Sequence, residues 1–375
     1  MKPPNRFLAA SALALAGMAH AEPDSVVEMY GTVFPFFDAA EVTGATAPAP
    51  ATRPNQVAAS AYTGVNDPRR NRISAGTSNW GFRGFETLAP GLKAVWQLES
   101  GFQIDQNSGP GLGARNSKLG LASPMWGEVF LGQWDTPYKF ISLAINPLRG
   151  GYVFDYTPIM GNPGFGVPAT TTQFTRIGAK PDAAFDKRVG NSVQYWTPKW
   201  GGLSVRAGYS VDEGTGPVVA GGPIARPTIL SAAAIYDVGP LSVRYAYEQH
   251  RDYFGLSQLG GGAAGTATNP SSKDRAHKAV IVWKVGNTRV AGALERLEYR
   301  NEDRILGNVG EFKRTAYYVL VEQRVGEGSF WGSYSRAADG SCTRVGGPSC
   351  ITEGLGANYW ALGYVTTFRG APTCS

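Results

Sequence analysis

Three features are scarce in this chain of 375 residues. After the N-terminal segment, no stretch holds the roughly 18 uninterrupted apolar residues that a membrane-crossing helix needs, which excludes a helical membrane protein. Only three cysteines occur, all near the C-terminal end, which excludes a disulfide framework as the source of stability. Cys342 and Cys350 bracket a Gly/Pro-rich loop, where they can pair in an oxidising compartment or stay free. Histidine also numbers three. His250 and His277 are the two beyond the N-terminal segment, and neither lies in a recognisable nucleophile motif, so no enzyme activity is expected. The formal charge of +6 is too small an excess to argue for a nucleic-acid partner. Phosphate loops, zinc spacings and nucleotide fingerprints are absent, and Gly260 to Gly262 lacks the strand-to-helix context of a phosphate site. No cofactor or metal is therefore expected.

The N-terminal segment sets the compartment. Lys2 and Arg6 precede an apolar run from Phe7 to Gly17, and Ala19-His20-Ala21 is a small-residue cleavage pattern, so residues 1–21 read as a secretory signal peptide. The chain as a whole is rich in glycine (49), tyrosine (17), phenylalanine (17) and tryptophan (9). That composition suits many short strands, tight turns and interfacial aromatic girdles. From Trp80 to Phe102 the text W-G-F-R-G-F-E-T-L-A-P-G-L-K-A-V-W-Q-L-E-S-G-F reads as a β-hairpin. Leu92, Ala94, Trp96 and Leu98 share one face of its second arm, while Lys93, Val95, Gln97 and Glu99 share the other. Pro90 and Gly91 supply the turn, proline by pre-setting one torsion and glycine by accepting a positive φ.

Strands recur at regular spacing beyond residue 188, giving about 14 in all. Short links at Pro198–Gly202, Val238–Pro240, Gly286–Asn287 and Gly326–Gly328 alternate with long ones at Asp212–Thr228, Arg251–Ala276, Arg300–Lys313 and Ala337–Gly356. A Greek-key sandwich would mix its connection lengths. Strict alternation instead predicts an all-β, transmembrane antiparallel barrel with short periplasmic turns and long external loops. Within the strands, Leu203, Val205, Ala207 and Tyr209 oppose Ser204, Arg206 and Gly208. Likewise Leu241, Val243, Tyr245 and Tyr247 oppose Ser242, Arg244 and Glu248. An arginine flanked by lipid-facing residues has to point inward, so the interior is expected to be wet and to form a channel. Residues 135–188 carry no sustained period, and a segment that long inside a compact fold calls for a functional reason.

The residues V-x-M-Y-G near Tyr30, the Trp80–Phe102 hairpin, G-E-V-F-L-G-Q-W-D-T-P ending at Pro137 and N-S-V-Q-Y at Asn191–Tyr195 resemble the Gram-negative general porins of β-proteobacterial type. The resemblance spans nearly all of the mature chain. It implies a homotrimer of sixteen-stranded outer-membrane barrels, set among lipid and lipopolysaccharide, that passively conduct ions and small hydrophilic solutes. It also implies a barrel domain over residues 22–368 whose loop at about 135–188 folds inward as an eyelet. Two pore-wall cations expected from the resemblance are replaced, by Asn79 and Gln133. Arg83 and Arg115 remain at motif-matched positions, while Lys93, Arg206 and Arg244 are inward candidates from alternation alone. The run Ala357–Phe368 resembles the third-last strand of the family, yet an atypical tail, residues 369–375, comes after it. The expectation is either a reading frame lost after Phe368 or a barrel closed with fourteen strands.

Function in such a channel rests on charge and width. One arginine about 10 Å from a permeating ion in water contributes roughly 0.4 kcal/mol before screening, so several must act together. Lys139, Arg149, Arg176, Lys180 and Arg188 against Asp155, Asp182 and Asp186 in the inward loop, together with Arg83 and Arg115, predict a weak anion preference. The competing expectation is a non-conducting structural or adhesive barrel, or a truncated, defective porin.

Overall fold

The computed structural model describes residues 24–42, 67–102, 113–147, 156–165, 183–211 and 225–366. The expected signal peptide and tail, and Arg149, Asp155, Arg176, Lys180 and Asp182 of the loop, lie outside the described residues. Eighteen strands are present among the described residues: β1 (Ser25–Thr32), β2 (Phe36–Val42), β3 (Asp67–Ser74), β4 (Asn79–Ala89), β5 (Leu92–Gly101), β6 (Ser117–Ser123), β7 (Gly127–Asp135), β8 (Arg188–Trp196), β9 (Leu203–Val211), β10 (Thr228–Val238), β11 (Leu241–Arg251), β12 (Lys273–Val285), β13 (Thr288–Arg300), β14 (Val309–Val325), β15 (Gly328–Ala337), β16 (Ser341–Arg344), β17 (Ser349–Cys350) and β18 (Ala357–Thr366). One short helix, α1 (Pro137–Ser142), lies between β7 and β8. No helix among the described residues is long and apolar enough to cross a membrane.

Sixteen strands form one sheet, along a path of fourteen from β1 through β4 to β15 and on to β18, with the hairpin β16–β17 hung from β14. Every pairing is antiparallel between neighbours in the path. The outer edges of β1 and β18 are not paired with each other among the described residues. The main path thus matches the fourteen strands read from the sequence. At the N-terminus β1 and β2 are separate strands. The chain breaks at Val33-Phe34-Pro35, where proline cannot donate to a ladder, and β2 leaves to pair with β3 in a separate two-stranded sheet.

Alternation governs which residues meet lipid. On β1, Val27 and Met29 are about 70% exposed (71% and 69%), while Glu28 and Tyr30 face the ion pairs of the interior. On β18, Trp360 and Leu362 are similarly bare at 70% and 72%. An outer surface this apolar is stable only against hydrocarbon. The hairpin β4–β5 has Gly84 directly opposite Trp96. A Cβ at Gly84 would stand 2.8 Å from the Trp96 ring and 2.2 Å from the Val26 carbonyl oxygen, so only glycine lets the indole lie flat along the wall. Gly91 takes φ 75° in the turn, as that turn requires.

The interior is not uniformly wet, which corrects the expectation of a water-lined lumen. Behind β10 to β14 a dry core joins loop residues Tyr138, Ile141, Ile145, Tyr156, Ile159 and Phe185 to wall residues Ala246, Leu297, Tyr299, Phe312 and Tyr318. Alternation identifies the inward face of a strand; it does not say whether water or a loop covers that face. In the external loop after β15, Cys342 and Cys350 are register partners with Cα atoms 5.3 Å apart, within disulfide reach. Peptide mapping of the unreduced protein is expected to recover residues 342 and 350 in one linked fragment, and reduction to separate them without loss of the heat-modifiable barrel band.

Candidate functional site

The inward loop begins where β7 ends. The Thr136 hydroxyl accepts a hydrogen bond from the Lys139 amide at 3.2 Å, and Pro137 opens α1, a start signal that needs no free amide. The helix lies in the lumen, since Tyr138 N donates to Ser231 Oγ of β10 at 3.0 Å and the Tyr138 hydroxyl donates to Glu295 Oε2 of β13 at 2.7 Å. Further wall strands hold the rest of the loop. Glu295 Oε1 accepts from Gly161 N at 2.7 Å, Arg289 Nη1 donates to the Ala144 carbonyl at 2.8 Å, and Arg314 Nη2 donates to the Ile159 carbonyl at 3.2 Å. The expected eyelet therefore has a physical basis: side chains of β10, β13 and β14 satisfy loop backbone that would otherwise be stranded away from water.

A buried cluster forms the centre of that attachment. Lys278 Nζ of β12 is ion-paired with Asp186 and lies 3.0 Å from Glu295 Oε2; it also donates to Ser142 Oγ at 2.8 Å. Asp186 takes the left-handed conformation, φ 63°, and its Oδ1 accepts from the Ser142 hydroxyl at 2.8 Å. One ammonium thus faces two carboxylates with no water-exposed surface. Burial pushes the Asp186 carboxyl up to about 6, opposed by Lys278. Burial and the charges of Glu295 and Asp186 also raise the Tyr138 phenol well above its ordinary value, so it stays a donor. At the loop stem, Lys139 Nζ and Arg188 Nε each lie 3.3 Å from Asp135 Oδ1, and Asn116 donates to Asp135 Oδ2 at 3.0 Å. Burial draws the Lys139 ammonium down, with Asp135 opposing.

The five wall cations read from the sequence are in different electrical states: Arg83 lies on β4, Lys93 on β5, Arg115 just before β6, Arg206 on β9 and Arg244 on β11. Arg83 donates to Glu28 at 2.8 Å, and Arg115 donates to Glu99 at 2.7 Å. Their charges are largely compensated. Lys93 sits over the Phe85 ring, 4.2 Å from its centroid. Arg206 and Arg244 have no carboxylate within ion-pair distance among the described residues; the Arg244 Nε donates to Ser242 Oγ at 3.0 Å. Of the loop charges read from the sequence, Lys139, Asp186 and Arg188 are described, and each is buried in a network rather than solvated. Sequence reasoning missed Lys278, Glu295, Arg289 and Arg314. The available signal was only their inward parity on the strands, which does not separate a lumen charge from a buried one.

Arg206 lies between the rings of Phe140 on α1 and Trp196 on β8, its guanidinium carbon 3.3 Å and 3.8 Å from their centroids. Lys118 sits 4.7 to 4.8 Å from the ring centroids of Trp196, Phe130 and Trp134, and pairs with Glu128. The stack on Arg206 holds the cation in place while leaving its charge uncancelled, whereas Lys118 is neutralised by Glu128. His250 stacks on Phe185 and hydrogen-bonds Glu248 at 2.9 Å, so it serves packing.

A sheet apolar outside, long-looped at one end, with an inward loop pinned to its wall and cations among its strands, defines an outer-membrane β-barrel of the channel class. The profile of the Gram-negative porin family matches residues 8–368, and this chain belongs to that family. Members are outer-membrane channel formers, not enzymes. An outer membrane porin protein of Bordetella pertussis is 32% identical over 46% of this chain and 42% of its own length. The major outer membrane protein P.IA of Neisseria meningitidis is 27% identical over 70% of this chain and 68% of its own. This chain therefore aligns with less than half of the Bordetella relative. The fold also superposes on the anion-selective porin of Comamonas acidovorans with a TM-score of 0.64 and 19% identity, covering 92% of this chain and 85% of that one.

Removing the buried cation should release the loop. Lys278→Met leaves Asp186 and Glu295 facing each other unneutralised, an expected loss of about 3–5 kcal/mol, read as a lower urea midpoint and a noisier open channel. The pH response comes from Asp186. Its folded pKa stands above its unfolded value, so between about pH 4 and 6 the native state binds more protons than the unfolded one. Stability should rise as pH falls through that window and be flat above it, and Asp186→Asn should abolish the difference between urea midpoints at about pH 5 and pH 7.

Proposed function

We propose that the protein is a passive channel of the outer membrane for ions and small hydrophilic solutes, weakly selective for anions and active as a homotrimer. The supporting observation is a charge imbalance along the lumen. Arg83, Arg115 and Lys118 each face a carboxylate partner, but Arg206 and Arg244 have none among the described residues, and at the loop stem Lys139 and Arg188 share the single carboxylate of Asp135. The buried cluster of Lys278, Asp186 and Glu295 returns one negative charge. The balance is positive and modest. In a narrowed, partly low-dielectric lumen such a surplus yields a few-fold ion preference rather than strict exclusion. The Comamonas protein named above is described as anion-selective, which agrees in sign. Replacement of two expected pore cations by Asn79 and Gln133 argues for a weaker preference than a wall carrying both.

Reversal potentials across a salt gradient in planar bilayers test this reading. The wild type should favour chloride over potassium, and Arg206→Gln with Arg244→Gln should move the ratio toward unity by roughly two-fold, since each removes an uncompensated charge. A cation preference in the wild type overturns the selectivity, and an SDS-resistant oligomer without conductance would identify a structural barrel instead.

A further inference from the structure

We propose that a cavity at the short-turn end of the lumen is a binding site for organic monoanions that carry an apolar ring or chain. The inference rests on the channel reading for its access route, though its chemistry stands on the cavity alone. The cavity has a volume of about 630 Å³ and is lined by the turns after β4, β6 and β8, with Pro124 and Trp196 as apolar surface and Lys93, Glu128 and Arg206 among its polar groups. That volume lies within the range of small-molecule sites.

Three observations select the ligand class. First, the guanidinium of Arg206 is fixed between two rings, and its buried Nη1 has no hydrogen-bond partner among the described residues. A buried, positioned donor without an acceptor is costly, and a carboxylate is the acceptor whose two oxygens match a guanidinium edge. Second, the local charge is positive by one. Lys93, Arg206 and Lys118, the last of them behind Glu128, stand against Glu128 and Asp24. Glu128 pairs with Lys118 and does not come within ion-pair distance of Arg206. Third, Trp196 lines the cavity as well as stacking on Arg206, and therefore offers ring surface to a bound apolar group beside the charge. A simple inorganic anion would use the cation alone and leave the apolar wall unsatisfied. An organic cation would meet the wrong sign. The remaining class is an amphipathic carboxylate of aromatic size.

The loop makes this site sensitive to the constriction. Phe140, which caps Arg206 from the lumen side, belongs to α1, so the same helix that narrows the channel also orients the guanidinium. Phe140 is a positioning residue here.

The test uses the folded, detergent-solubilised protein and the same preparation in bilayers, with benzoate, acetate and benzyl alcohol as probes. Benzoate should quench tryptophan fluorescence saturably and reduce single-channel current at millimolar concentration. Acetate lacks the ring and benzyl alcohol lacks the charge, so each should be about ten-fold weaker. Arg206→Gln and Trp196→Leu, both checked for a heat-modifiable barrel band, should each weaken benzoate about five-fold or more. Arg206→Lys should restore only part of the effect, because an ammonium keeps the charge but not the fork. Equal responses to benzoate and acetate, or variants that respond like the wild type, overturn the proposal. Saturable quenching by benzoate in a protein that does not conduct supports the site while overturning the channel reading.

Discussion

A backbone that crosses hydrocarbon finds no water for its amides and carbonyls, so each strand must satisfy them against a neighbour. That constraint dictates the long path of antiparallel pairings from β1 to β18, each strand answered by the next. Once the ladder is imposed, the two-residue period of a strand assigns every side chain to lipid or lumen. Trp96 lies along Gly84 outside while Arg83 meets Glu28 inside, and both result from the same register. The same rule puts charge inside at a cost, because a lumen wall crowded with arginine must be compensated or hydrated.

The inward loop meets that cost for some of the wall charges and leaves others uncompensated. Against β10 to β14 it delivers aromatic and aliphatic residues that turn this part of the interior into ordinary protein core. Its polar groups are then answered one by one, Tyr138 by Glu295 and Asp186 by Lys278. Such buried pairs are poor sources of net stability, since desolvation offsets most of the attraction. Their value is positional: a loop held by several directional contacts defines one aperture. Arg206 on β9 and Arg244 on β11 are left uncompensated, because aromatic rings and a serine, not carboxylates, hold them.

Much of the candidate site is legible in the sequence, and in a specific way. Alternation alone puts Arg206 and Arg244 in the lumen, since an arginine between lipid-facing residues has no other direction to take. Arg83 and Arg115 stand out by motif, yet their compensation by Glu28 and Glu99 depends on residues 55 and 16 positions away in sequence. Lys278 and Glu295 escape such reasoning because nothing local separates a lumen cation from a buried latch. The lack of a nucleophile motif argues against catalysis by His250, and its stacking on Phe185 gives it a packing role.

By itself, the sequence determined the strand ladder, the turn lengths, the lipid face and the inward direction of the charged residues, because these depend on a period of two and on local turn chemistry. Tertiary structure alone decided which charges cancel, which part of the interior is dry, where β2 departs from the wall and where a cavity opens beside Trp196. Those outcomes depend on contacts between residues distant in the chain, and no local pattern encodes the distance between an ammonium and a carboxylate that meet only after the loop folds in.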